Sequence, residues 1–422
     1  MPLDFPISTT TLPNGLRVVV SPDRSVPSVS VNLRVDVGSR HEEAGRTGLA
    51  HLFEHLMFQG SELVGEGEHM ELLMSHGGRA NATTSFDRTA YVESVPRGAL
   101  DLALWLEADR HGHLLPALTQ ANLDNQRDVV IEEKRQRYDT VPYGEALAHA
   151  CRLVFPEGHP YRHTPIGSME DLAAATLQDA HDFFGAHYGP RTSILTLVGD
   201  LDPEEGFSLA QTYLGHLDDA TRPRPAAEPA LVPMTAPPVL ELVDPVPSER
   251  LYLCFRLPAV TDPQYLPTAI ALDALASLSV SQLHLRLLRH DESASGLSAS
   301  ALGLAEGSLG LLVVDVSEGR STAEVEATVR EELAAFAERG PQDAQLEASR
   351  ADTERSWLES LASFDDRAEL LGRAAALFGD ARQVNDHLDQ VVATTPDAVR
   401  EAARTWLAPD SMATIRYLQE TR

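Results

Sequence analysis

Prolines divide this chain. Pro223, Pro225, Pro229, Pro233, Pro237, Pro238, Pro245 and Pro247 all fall within residues 218–247. Proline fixes φ and lacks an amide donor, so this spacing defeats helices and sheet ladders alike and marks a linker. On either side of it lie about 200 residues, an ordinary domain size. The two sides also share a pattern. Thr176-Leu177-Gln178-Asp179-Ala180, a helical run to Tyr188, Pro190 and a strand-like segment at 194–198 recur as Thr394-Thr395-Pro396-Asp397-Ala398, a helical run to Trp406, Pro409 and a segment at 412–415. The offset of about 218 residues is close to half of the 422-residue chain. These features predict a duplicated α+β fold. Two homologous, pseudo-twofold-related α/β sandwich-like domains, 1–217 and 248–422, would flank the linker 218–247, each an antiparallel-rich sheet with helices on one face.

Local periodicity refines the first half. Residues 10–20 read as strand, turn and strand around Pro13-Asn14-Gly15. Val29, Val31, Leu33, Val35 and Val37 alternate with Ser30, Asn32, Arg34 and Asp36, the period of a strand with one buried face, and Gly38 stops it. A helix is expected from an N-cap at Thr47 through Phe58 to Gly60, and further helices near 67–76, 98–111 and 120–138. Beyond the linker, Leu251, Leu253, Phe255 and Leu257 alternate as a strand, and long helices rich in Ala, Leu, Glu and Arg follow up to Trp406.

Charge excludes several partners. Lys plus Arg is 34 against 63 Asp plus Glu, a net charge of −29. Such a field repels phosphate backbones and anionic lipids, so neither nucleic acid nor a membrane surface is expected as a partner. The apolar stretch 309–316 already contains Gly310 and Asp315, far short of the roughly 18 apolar residues of a spanning helix. Met1-Pro2-Leu3-Asp4-Phe5-Pro6 has neither a basic nor an apolar leader region, which predicts a cytoplasmic protein. Cys151 and Cys254 are expected as free thiols, one in each domain.

His51-Leu52-Phe53-Glu54-His55 carries the chemistry. On a helix, positions i and i+4 share a face, so both imidazoles can reach one ion, with Glu54 beside them. Neutral imidazole suits Zn2+, and a catalytic zinc takes three protein ligands and keeps one position open. A carboxylate that does not bind the metal can deprotonate water and hand the proton to a leaving amine. For the third ligand, the helix near 125–139 offers Glu132 and Glu133. Gln126, Val129, Val130, Glu133 and Arg137 share one stripe, whereas Glu132 falls with Asp128 and Gln136 on a more polar side, so Glu133 is the expected ligand. His159 with His163, and His111 with His113, read as loop or surface histidines, because prolines or Gly112 interrupt their helices.

Taken together, His51-x-x-Glu54-His55, the distal Gln126-Arg127-Asp128-Val129-Val130-Ile131-Glu132-Glu133 and the strand Gly77-Gly78-x-x-Asn81-Ala82-x-Thr84 resemble the pitrilysin/insulinase superfamily of zinc endopeptidases. The short bacterial members akin to mitochondrial processing peptidase subunits are the nearest in look. Gly38-Ser39-Arg40-His41-Glu42, Gly167-Ser168 with Asp171, and Tyr188-x-Pro190 ahead of Gly199-Asp200 are also similar to that family. The resemblance implies two similar α+β domains around a chamber, zinc held by His51, His55 and Glu133, and Glu54 as general base. It also implies that the strand Ala80, Asn81, Ala82 and Thr83 receives a peptide as an added β-strand, a mode in which backbone groups give affinity with little sequence selectivity.

Two departures from the family pattern stand out. Where the family usually places a glutamate, seven residues before the metal-binding one, this chain has Gln126, a neutral partner for a ligand or bound water. The arginine and tyrosine with which self-sufficient members hold the substrate carbonyl align with Gln282 and Ala299, although Arg286 or Arg289 would serve under a slipped alignment. The resemblance therefore implies a paralogous partner subunit that completes the site in a heterodimer, a homodimer being the other assembly to test. The competing expectation is a non-catalytic peptide-binding or scaffold subunit of the same architecture.

Overall fold

Branched and small residues at alternate positions build two sheets in a computed structural model that describes residues 3–219 and 229–420. The first contains β1 (Ser8–Thr11), β2 (Arg17–Pro22), β3 (Ser28–Val35), β4 (Arg79–Thr84), β5 (Thr89–Pro96) and β6 (Ser193–Gly199), in the order β1-β2-β6-β3-β5-β4. The second contains β7 (Val239–Asp244), β8 (Arg250–Leu257), β9 (Ala294–Leu302), β10 (Ser308–Val316) and β11 (Met412–Gln419), in the order β7-β11-β8-β10-β9. Setting β1 aside, the two orders correspond strand for strand. In each, one parallel pairing, β2 with β6 or β7 with β11, is followed by three antiparallel ones. The duplication expected from the repeated pattern is thus a duplication of topology. Within the expected linker, residues 220–228 lie outside the described residues, and Val239–Asp244 is strand β7.

The helices of the first half are α1 (Leu49–Leu56), α2 (Glu68–Ser75), α3 (Leu100–Ala117), α4 (Gln120–Lys134), α5 (Ala146–Val154), α6 (Met169–Ala174), α7 (Leu177–His187) and α8 (Pro203–Leu214). Those of the second are α9 (Tyr265–Leu272), α10 (Thr322–Arg339), α11 (Asp343–Ala362), α12 (Phe364–Phe378), α13 (Gln383–Ala393) and α14 (Pro396–Trp406). One apolar layer joins Val18, Val20, Val29, Val31, Leu33, Leu195 and Leu197 to Leu100, Ala103 and Leu104 of α3. The opposite face of the same sheet is also covered. Val19, Ile194 and Val198 pack against Ala368, Leu371 and Ala375 of α12, far along the chain. Ser30, Asn32 and Arg34 are consequently buried, although their alternation reads as a solvent face. The expected single helical layer is therefore joined by a second, and α12 lies close: a Cβ on Gly372 would sit 3.2 Å from Thr196 Oγ1.

Two compact units result, and they do not follow the linear order. One takes the chain up to Lys134, resumes at Thr164 and includes Trp357–His387; the other includes Arg135–His163, the chain up to Ser356, and Leu388 onward. Each half of the sequence lends a helix to the other's sheet. In the second unit, Leu251, Leu253, Phe255 and Leu257 face α10 and α14, while α5 packs on β8, whose Cys254 lies near Cys151 of α5. The cysteines expected in different domains are therefore in one unit. Both are free and buried, and burial pushes the Cys151 thiol up to about 12. Among the described residues, no helix is long and apolar enough to cross a membrane.

Candidate metal centre

Helix α1 is held at its start by groups outside it. Thr47 is not its cap: the Thr47 hydroxyl and amide donate to Asp171 at 2.6 and 3.0 Å. Instead the Glu42 carboxylate accepts from the Gly48 and Ala50 amides at 2.9 and 2.7 Å, placing a negative charge at the positive end of the helix. Gly48 turns into the helix at φ +92°. Gly167, at φ +68°, approaches so closely that a Cβ there would lie 2.3 Å from the Gly48 nitrogen. The Gly38–Glu42 and Gly167–Asp171 segments thus form the cradle of α1. The helix ends at Leu56, sooner than the expected Gly60. Leu52, Phe53 and Leu56 are buried, with the Phe53 ring packed at a tilt against Phe183, Phe184 and Tyr188. This anchorage leaves His51, Glu54 and His55 half-buried on the other side.

Helix α4 brings the remaining donor. Leu123, Gln126 and Val130 are its buried residues, whereas Val129 is exposed, so the inward stripe is narrower than its sequence suggests. Glu133 Oε2 lies 3.7 Å from His51 Nε2 and 3.5 Å from His55 Nε2. Ligand atoms of the three residues all fall within 4.8 Å of one another. Ligands at 2.0–2.2 Å from a tetrahedral zinc are about 3.3–3.6 Å apart, so two imidazole nitrogens and a carboxylate at these separations fit that ion. The His55 ring also meets Gln126, Nδ1 to Oε1 at 3.3 Å. With the proton on Nδ1 donated to that amide oxygen, Nε2 is left bare on the Glu133 side.

Glu54 points elsewhere. Its Oε2 accepts from the Thr84 hydroxyl at 2.5 Å. Burial raises the Glu54 carboxyl above the ordinary range, opposed by the Thr84 hydrogen bond and by His55 and Arg88. Thr84 was visible as the last residue of the glycine-led motif. Strand parity, which places it on the same face as Ala80 and Ala82, is the signal that would have singled it out.

Strand β4 is the edge of its sheet. The Ser85 amide donates to Arg88 O at 2.8 Å, which makes that a hydrogen-bonded pair. Alternation then assigns the bonded pairs Thr83 with Ala90 and Asn81 with Val92. The open edge therefore presents the amides and carbonyls of Ala80, Ala82 and Thr84, while those of Asn81 and Thr83 are turned to β5. The Asn81 and Thr83 side chains are exposed on the opposite face from Glu54.

Comparison with known proteins gives the family. A family profile described as Insulinase (Peptidase family M16) matches residues 17–153, and a second, Peptidase M16 inactive domain, matches 174–352. The Helicobacter pylori zinc protease PqqE is 30% identical over 386 residues, 90% of this chain and 84% of its own. This chain belongs to the M16 peptidase family. A crystal structure of a protease from Helicobacter pylori superposes with a TM-score of 0.90 at 26% identity, covering 98% of this chain and 99% of that one. The Saccharomyces cerevisiae mitochondrial-processing peptidase subunit beta is 29% identical over 235 residues, 52% of this chain and 47% of its own. The periplasmic protease PqqL of Escherichia coli shares the fold at 19% identity, with a TM-score of 0.77, 99% of this chain and 48% of that one covered.

A second donor cluster in this M16 chain does not suit a metal. His69, Glu93 and Glu107 are buried within the same 4.8 Å limit. His69 Nε2 and Glu93 Oε1 are only 2.7 Å apart, a hydrogen-bond distance, and the Arg110 guanidinium forks onto Glu107. Burial, with Glu107 beside it, pushes Glu93 well above the usual carboxyl range, while burial and the Arg110 charge hold His69 down to about 3. Both shifts disfavour charge on the His69–Glu93 pair, and Glu107 is already engaged by Arg110, which leaves no ligand set poised for a cation. His111 belongs to this cluster, beside Glu107, and His159 is buried, stacked on Phe155. His111, inside α3, is therefore not the loop or surface histidine expected, whereas His159 does lie in a loop, buried rather than exposed. In the other unit, Gln282 donates to Glu332, and Ala299 lies in the edge strand β9 against the core. Arg286 pairs with Asp291 at 2.8 Å.

Proposed function

We propose that this chain is a zinc-dependent endopeptidase acting on peptides bound in extended form. What carries the reading is the convergence of His51, His55 and Glu133 beside a carboxylate, Glu54, engaged by another group. Zn2+ held by His51, His55 and Glu133 would supply a Lewis acid and lower the pKa of water at the site. Gln126 orients the His55 ring. The open groups of Ala80 and Ala82 bond an incoming peptide strand, and the exposed Asn81 side-chain carboxamide adds a polar contact to it. Thr84 fixes Glu54 Oε2, so Oε1 takes the proton of the attacking water and returns it to the leaving amine.

Gln282 and Ala299 supply neither a cation nor a hydroxyl, and this favours completion by a paralogous partner bearing arginine and tyrosine. The same gap favours, as a second reading, a non-catalytic peptide-binding or scaffold subunit. The buried free thiols support a reducing, cytoplasmic setting. Metal analysis and peptide hydrolysis by the wild type and Glu54→Gln, each alone and with the product of an adjacent similar gene, decide among these. The expected result is zinc retained near one per chain in both, with turnover lost in Glu54→Gln. Turnover retained in the variant removes Glu54 from its role, and full activity of the lone chain removes the partner.

A further inference from the structure

The face of the β4–β5 hairpin turned away from Glu54 is gripped by a helix from the far end of the sequence. An edge strand of six residues has one bonded neighbour, so it frays more readily than interior strands unless something else holds it. Here Asp365 and Glu369, one turn apart on α12, hold it at two points. Asp365 accepts from Arg79 at 2.8 Å and from Ser94 at 2.6 Å, across the Arg79–Ser94 pair that opens the strand. At the other end Arg88 donates through Nη1 to Thr83 O and Oγ1, at 2.7 and 2.6 Å, and through Nε to Glu369 Oε1 at 2.9 Å. Glu369 is itself fixed by central strand β3, through Arg34 at 3.1 Å and Asn32 at 3.2 Å. The Arg79 contact is largely exposed, whereas Arg34 is 3% exposed and Arg88 17%. The Glu369 end is therefore the stiffer anchor.

We propose that Glu369 and Arg88 are positioning residues for peptide binding, pinning the outer edge of β4 so that Ala80 and Ala82 stand ready as a strand template. The inference rests on reading β4 as the peptide-receiving edge, but its first test does not. In hydrogen–deuterium exchange of the full-length chain, the slow amides of residues 80–84, toward the Arg88 end of the strand, are those of Asn81 and Thr83. In Arg88→Lys, which cannot span both Thr83 and Glu369, they should exchange about tenfold faster, with β2 and β6 unchanged. Glu369→Gln should act in the same direction; should it fail to fold because Arg34 loses its counter-charge, Arg88→Lys decides alone. With a ten-residue quenched-fluorescence peptide, KM should rise about tenfold while kcat moves less than about twofold. Unchanged exchange in 80–84, protection lost evenly across the sheet, or a fall in kcat at constant KM each overturns the proposal. Absence of hydrolysis by the wild type both alone and with the product of the adjacent similar gene refutes the peptidase reading and leaves the exchange result to judge the clamp.

Discussion

Replacing Glu42 with alanine removes the external cap of the helix that bears His51 and His55. Two backbone amides, of Gly48 and Ala50, then lose a charged acceptor at 2.9 and 2.7 Å. A hydrogen bond to a charged group is worth about 1.5–3 kcal/mol, and the loss of an ordinary cap costs about 1 kcal/mol. The site is half-buried and water can reach part of it, so the two bonds do not add in full. A loss of about 2–3 kcal/mol is expected, and about half of that for Glu42→Gln, which keeps one acceptor oxygen but no charge to face the helix dipole. The assay is urea unfolding followed by near-ultraviolet circular dichroism, with exchange of the α1 amides to localise the effect. Zinc affinity should fall in step, because His51 sits in the first turn. If Glu42→Ala shifts stability by less than about 0.5 kcal/mol, or weakens β10 as much as α1, the capping argument fails.

Three further outcomes are expected. Arg110→Met strands the Glu107 carboxylate in the core and should cost about 3–5 kcal/mol, whereas Arg404→Met, at an exposed pair, should cost less than about 1 kcal/mol by thermal denaturation. His387, packed on Trp357 at 4.0 Å, is held down to about 4 by burial and the Arg373 charge. The unfolded chain therefore binds a proton near pH 6.5 that the folded chain refuses until about 4, so stability falls as pH drops through that window, and His387→Phe should flatten the slope. Gly167→Ala must clear the Gly48 nitrogen from a left-handed φ; it should displace α1 and lower zinc content, measured by metal analysis.

Local rules made much of this molecule legible, and the exceptions share a cause. The alternation of β3 announced a strand, but that Ser30, Asn32 and Arg34 are buried could not be read there, because α12 arrives from residues beyond 360. The same exchange explains the cysteines: Cys151 is brought over β8 by a helix that leaves its own half. At the site, helical spacing placed His51, Glu54 and His55 on one face, and the stripe on α4 chose Glu133 over Glu132, though Val129 faces solvent. Thr84 and Glu42 act through contacts of a hydroxyl and a carboxylate with groups 30 and 6–8 residues away. Such contacts leave no periodic trace.

The duplicated topology offers an internal control for the metal argument. Helix α9 follows β8 much as α1 follows β3, and edge strand β9 answers to β4. Yet α9 reads Tyr265-Leu266-Pro267-Thr268-Ala269-Ile270-Ala271-Leu272 and buries Thr268, Ile270, Ala271 and Leu272. The architecture is thus built in the second half without a single histidine or carboxylate on that helix. In the first half, the corresponding helix carries two imidazoles and Glu54, with Glu133 of α4 against the two imidazoles, groups whose partial desolvation works against folding unless something compensates them. Packing does not require that set. A cation shared by His51, His55 and Glu133 would compensate it, and the fold's other copy shows what the helix looks like when no such compensation is needed.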